Sequence, residues 1–120
     1  MFVHDIKNCE EFISGDNTLL RQLLHPDHSG VDIRYSLCHA VVHPGQSSRL
    51  HVLKTSEVYY ILSGEGMMHI DEEKETVVAG QVVYIPPFAR QCIENTGNSD
   101  LVFLCIVDPA WRVENEQIIL

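Results

Sequence analysis

Basic residues are scarce in this 120-residue chain: eight Lys and Arg stand against 17 Asp and Glu, a formal charge of −9. No Lys/Arg cluster interrupts that balance, so phosphate backbones and anionic membrane surfaces would be repelled, and nucleic acid is not an expected partner. Long apolar runs are also missing. The longest, LVFLCIV from Leu101 to Val107, is far too short to span a bilayer. The opening MFVHDIKNCEEF carries charges where a secretory segment needs an apolar stretch, so a soluble, cytoplasmic chain is expected. There is no C-x-x-C pair. Cys9, Cys38, Cys92 and Cys105 are widely spaced, and four reduced, unpaired thiols are expected.

What is present is a hydrophobic fraction of 45%, enough for one compact core in a single domain of residues 1–120. Turn signals recur at short intervals: His25-Pro26-Asp27, Pro44-Gly45, Ser63-Gly64, Asp71 to Glu75, Ala79-Gly80, Pro86-Pro87, Asn95 to Asp100 and Asp108-Pro109. Between them lie YSLCHAVV, VYYIL, MMHI, TVV, QVVYI and LVFLCIV, rich in β-branched and aromatic residues, which predict an all-β sandwich or barrel. Only DNTLLRQLL, Asp16 to Leu24, could start a helix with Asp16 as its cap; strand is the preferred reading. The tail after Pro109 is expected to pack back on the barrel or on a partner subunit, with Trp111 as its anchor.

Two segments have a fixed spacing: Gly45, His51, Glu57 and Gly64 in GQSSRLHVLKTSEVYYILSG, and Gly80, Pro86 and Asn95 in GQVVYIPPFARQCIEN. They resemble the two motifs of the cupin superfamily, G-x5-H-x-H-x3-E-x6-G and G-x5-P-x-G-x2-H-x3-N, placing motif 1 at 45–64 and motif 2 at 80–95. The resemblance covers Ser36 to about Pro109 and implies a double-stranded β-helix barrel, an antiparallel sandwich of jelly-roll type. Glycines would serve positive-φ corners, and ligands two residues apart on a strand would share the inward face.

The resemblance also implies a divalent transition metal (Mn, Fe, Ni or Zn), held by histidines and a glutamate with open positions for substrate. Three positions depart from it. Leu53 stands for the second histidine, Phe88 for the glycine of the second motif, and Gln91 for the third histidine. The implied metal ligands are therefore His51, Glu57 and Gln91, the last offering only an amide oxygen. If Glu57 faces inward, strand parity brings Tyr59 and Ile61 with it, so Tyr59 and Glu57 are the candidate catalytic groups, with Tyr59 as a ligand, a general acid or a hydrogen bond to substrate; a core tyrosine whose hydroxyl reaches water is the equal alternative. Leu53 would make one wall dry. Of the other histidines, His69 is the first candidate to assist; His4, His25, His28, His39 and His43 are expected to be structural or solvated.

Three function classes fit: a metal-dependent small-molecule enzyme of isomerase, decarboxylase, lyase or dioxygenase type; a non-catalytic sensor or binder with a metal-free pocket; and an interaction protein with a vestigial site. A small-molecule-binding cupin with a remodelled metal site is the leading expectation, and the metal-free binder is the alternative. The acidic balance disfavours carboxylated substrates unless a metal supplies positive charge, since only Arg21 or Arg90 could face inward. Apolar residues on both faces of strands such as VYYIL predict a homodimer.

Overall fold

The computed structural model describes residues Met1–Leu120, folded as two antiparallel sheets packed face to face. The strands are β1 (Glu11–Ile13), β2 (Leu19–Leu24), β3 (Ser36–Val42), β4 (His51–Leu53), β5 (Ser56–Ser63), β6 (Glu65–Ile70), β7 (Glu73–Val78), β8 (Val82–Ile85), β9 (Arg90–Asn95), β10 (Leu101–Asp108) and β11 (Glu116–Ile118). One sheet runs β1-β2-β3-β10-β5-β8, the other β11-β4-β9-β6-β7. No helix is long and apolar enough to cross a membrane.

Alternation decides which residues fill the interior. Along β10, Leu101, Phe103, Cys105 and Val107 are buried, while Ile106 between them is exposed. Along β5 the same period turns Glu57, Tyr59 and Ile61 inward and leaves Tyr60 and Leu62 outside. Ala40, Val42, Met68, Val77, Ile85, Ile93, Leu101 and Phe103 close the core between the sheets. The segment from Asp16 forms no helix. Asp16 instead holds a tight turn by accepting the Thr18 N–H at 3.1 Å, and β2 follows from Leu19 as a strand.

The motif residues mark corners. Gly64 has φ +85°, and a Cβ there would stand 2.5 Å from the Asp100 carbonyl oxygen, so only glycine fits. Asn95 donates its amide to the carbonyls of Val42 (2.9 Å) and Ser99 (2.8 Å) and accepts the Gly97 N–H (2.9 Å), tying β9 to β3 and to the following turn. Phe88 keeps the left-handed backbone that the motif's glycine would have, at φ +67°.

The tail packs back on its own barrel, because β11 pairs with β4 in the register Ile118↔His51. Trp111 anchors it: its N–H donates to Ser36 Oγ at 2.9 Å and its indole N–H to Glu116 Oε2 at 3.2 Å. All four cysteines are unpaired.

Candidate functional site

His51 and Glu57 face each other across the interior from opposite sheets. His51 lies on β4, between β11 and β9, and is 1% exposed; Glu57 lies on β5, between β10 and β8, and is 7% exposed. Both line a cavity of about 250 Å³, together with Tyr59, Phe103, Val107, Asp16, Trp111 and Glu116.

Hydrogen bonding fixes the imidazole. Its Nδ1 donates to the Arg49 carbonyl at 2.6 Å, which leaves Nε2 turned to Asp16 Oδ2 at 3.4 Å. Asp16 is itself held, since its Oδ1 accepts from Ser14 Oγ and from the Thr18 N–H. On the other wall Glu57 Oε1 is buried without a hydrogen-bond partner. Burial pushes the Glu57 carboxyl up to about 8; the neighbouring Gln91 amide pulls it back, and Asp16 and Glu116 push it the same way as burial. Glu116 is also raised, first by burial, while the Trp111 indole N–H pulls it back.

Gln91 is His51's cross-strand neighbour on β9, yet it belongs to the core rather than to the cavity wall. Its Oε1 accepts the Tyr59 hydroxyl at 3.2 Å, and its Nε2 is buried without a partner. Burial, then the Glu57 charge, raises the Tyr59 phenol well above its ordinary range, so this hydroxyl stays protonated and serves as a donor. Leu53 is buried on the His51 face of β4, two residues along. The structure thus joins Tyr59 to Gln91 and His51 to Asp16, and brings no group of three or more His, Cys, Asp or Glu side chains together closely enough to hold a metal ion.

Five of the other six histidines have structural partners. His69 points out of the five-stranded sheet onto Glu94 at 2.6 Å, His43 meets Asp100 at 2.8 Å, and His25 Nε2 donates to the Trp111 carbonyl at 2.8 Å. His4 and His28 bond to the Leu23 carbonyl and Gln22 Oε1. Arg21 turns to Glu11 and to the carbonyls of Ile6 and Cys9, and Arg90 is exposed, so neither enters the cavity. Sequence reasoning passed over Asp16 and Glu116, which lie outside both motifs. Asp16 read as a possible helix cap and Glu116 as part of a charged tail; only chain closure puts them beside His51.

The family model described as Cupin domain matches residues 38–107. An uncharacterised protein of Methanocaldococcus jannaschii is 42% identical over 110 residues, 90% of this chain and 86% of its own length. An oxalate-binding protein of Thermotoga maritima is 42% identical over 65 residues, 53% of this chain and 54% of that protein, so the likeness spans about half of each. The crystal structure of a Cupin 2 conserved barrel domain protein from Salinispora arenicola overlays with a TM-score of 0.78 at 21% identity, covering 95% of this chain and 91% of that one.

Proposed function

The chain belongs to the Cupin domain family, and from that premise we propose that it is a small-molecule-binding cupin whose cavity takes its ligand directly on protein side chains. One observation carries the reading. Glu57 lines the cavity with a buried carboxyl whose Oε1 has no hydrogen-bond partner, a deficit of roughly 1–3 kcal/mol that a ligand bonding the carboxyl would offset. His51 Nε2 is the second contact, because its other nitrogen is already committed. Tyr59 and Gln91 brace the floor through their mutual bond.

The donor set fits a transition metal poorly. Leu53 offers no lone pair, the Gln91 oxygen is engaged by the Tyr59 hydroxyl, and His51 Nε2 faces Asp16. A divalent metal on His51, Glu57 and Gln91 is the second reading, favoured by the retained motif spacing of the first two. Elemental analysis of protein purified without chelator or immobilised nickel separates them. Direct binding expects no stoichiometric metal, together with small organic ligands that raise the melting temperature of the wild type and lose that effect in Glu57→Gln and His51→Ala. One equivalent of manganese, iron, nickel or zinc, lost in His51→Ala, would establish the metal reading instead.

A further inference from the structure

Independently of His51 and Glu57, we infer that the cavity carries a dithiol site: Cys38 and Cys105 bind a monosubstituted trivalent arsenical, whose arsenic bridges the two sulfurs. The two cysteines stand directly opposite each other on β3 and β10. Both line the cavity, Cys38 half-buried on the inward face with Ser36 and Ala40, and Cys105, 8% exposed, between Phe103 and Val107. Cys9 and Cys92 do not line it.

Backbone pairing sets the separation of the two thiols. Ile61 on β5 accepts the Gly80 N–H at 2.8 Å and donates to the Gln81 carbonyl at 2.9 Å, so its backbone groups turn to the β8 side and away from β10. Tyr59, two residues back on the same strand, turns the same way. Cys105, opposite Tyr59, therefore directs its own N–H and C=O to β3 and forms a hydrogen-bonded pair with Cys38. Such a pair holds its Cα atoms about 5.5 Å apart, with the Cβ atoms at the wide end of roughly 4.5–5.5 Å. A disulfide needs its Cβ atoms within roughly 3.5–4.5 Å. The strands thus resist a direct S–S bond and leave room for one bridging atom between the sulfurs.

That atom has to be soft and strand no charge. Burial pushes the Cys38 thiol up to about 12 and the Cys105 thiol well above its ordinary range, which opposes any metal dication that needs two thiolates. An organoarsenous acid, R–As(OH)2, meets no such opposition. Each S–H proton leaves with an arsenic-bound hydroxide as water, so two As–O bonds break and two As–S bonds form. Arsenic stays trivalent, and the product is neutral, as the free acid is at pH 7. A neutral ligand also suits a lining with no lysine or arginine. Because only two cysteines face the cavity, the third arsenic substituent is the organic group, and Leu20, Phe103 and Val107 give it an apolar seat.

The test titrates phenylarsenous acid into the reduced full chain at pH 7 and low micromolar concentration, with native mass spectrometry as the readout. One adduct per chain is expected, its mass that of the reagent less two waters, which reports two As–S bonds; dimercaptopropanol should remove it. Cys38→Ser should weaken binding at least about a hundredfold, as reducing a two-point attachment to one does. Cys105→Ala should do the same, while Cys9→Ser and Cys92→Ser leave binding unchanged. Cys38 is the less buried of the pair, so its serine variant decides the matter even where Cys105→Ala fails to fold. No adduct on the wild type, a mass showing a single As–S bond, or undiminished binding in Cys38→Ser overturns the assignment.

Discussion

The backbone N–H of Phe88 donates to the carbonyl of Leu53 at 2.8 Å, joining two of the three positions at which this chain departs from the cupin motifs. The corner is preserved although neither residue is the motif's own. Phe88, 67% exposed, holds a left-handed backbone at φ +67°, so it carries the strain of a non-glycine residue and gains little from packing. Relief of about 1–2 kcal/mol of strain exceeds the roughly 0.5–1 kcal/mol of added chain entropy that glycine brings to the unfolded state. Phe88→Gly is therefore expected to stabilise by about 0.5–1 kcal/mol, raising Tm by about 2–6 °C. Thermal unfolding followed by circular dichroism decides it, and an unchanged or lower Tm refutes the strain argument.

Leu53 and Gln91 lead to a second expectation. Both are buried beside His51, one on the same strand face and one directly across β9. Restoring imidazoles in Leu53→His/Gln91→His should cost about 2–3 kcal/mol without metal, as buried polar groups do, and regain it when zinc or nickel binds. Metal affinity is expected to rise at least about tenfold over wild type, since imidazole is a far better ligand for these ions than an amide. Equal affinities in the two proteins would mean that the wild-type site already holds a metal by other donors.

The fold was legible because its determinants are local. Seven spaced motif residues and the period-two burial of VYYIL and LVFLCIV place Glu57, Tyr59 and Ile61 inward with no tertiary information. The site was legible only where it coincides with the motifs. Asp16 reaches His51 from the β1–β2 turn, whose Asp16 carbonyl accepts the Arg49 N–H at 2.7 Å, and Glu116 reaches it through β11 pairing with β4; no spacing encodes either approach. Gln91 shows the converse: parity puts it next to His51, but the Tyr59 hydroxyl reaches it first and draws it into the core.

The outward face of the six-stranded sheet carries a third expectation. Val82 and Tyr84 on β8, Tyr60 and Leu62 on β5 and Ile106 on β10 are exposed on it, none of them charged. Arg21 and Glu11 share this face but lie at its β1–β2 end, so on a chain of charge −9 the apolar patch at the β10-β5-β8 end is where two copies meet without mutual repulsion. We propose a homodimer through this face. Light scattering at micromolar concentration should give twice the chain mass, and Tyr60→Glu or Ile106→Glu should halve it; a monomeric wild type would refute the proposal.

Glu57 makes stability depend on pH with a definite sign. Its carboxyl titrates near 4.5 in the unfolded chain and about 8 in the fold, chiefly through burial. Below pH 4.5 both states are protonated and the fold bears no penalty. Between about 4.5 and about 8 the unfolded chain ionises while the folded one holds its proton, so stability falls as pH rises; above about 8 the loss is complete and constant. The full shift sets a ceiling of roughly 5 kcal/mol at 1.36 kcal/mol per unit, and water drawn in on ionisation reduces the expected loss to about 2–3 kcal/mol. Glu116, also raised by burial, adds in the same direction, so the contribution of Glu57 has to be isolated by difference. Urea unfolding at pH 5 and pH 8.5 should show wild type losing about 2–3 kcal/mol more than Glu57→Gln, which has no proton to release. Parallel pH profiles for the two proteins would mean that the Glu57 carboxyl is ionised in the fold at neutral pH, its charge matched by a partner in the cavity.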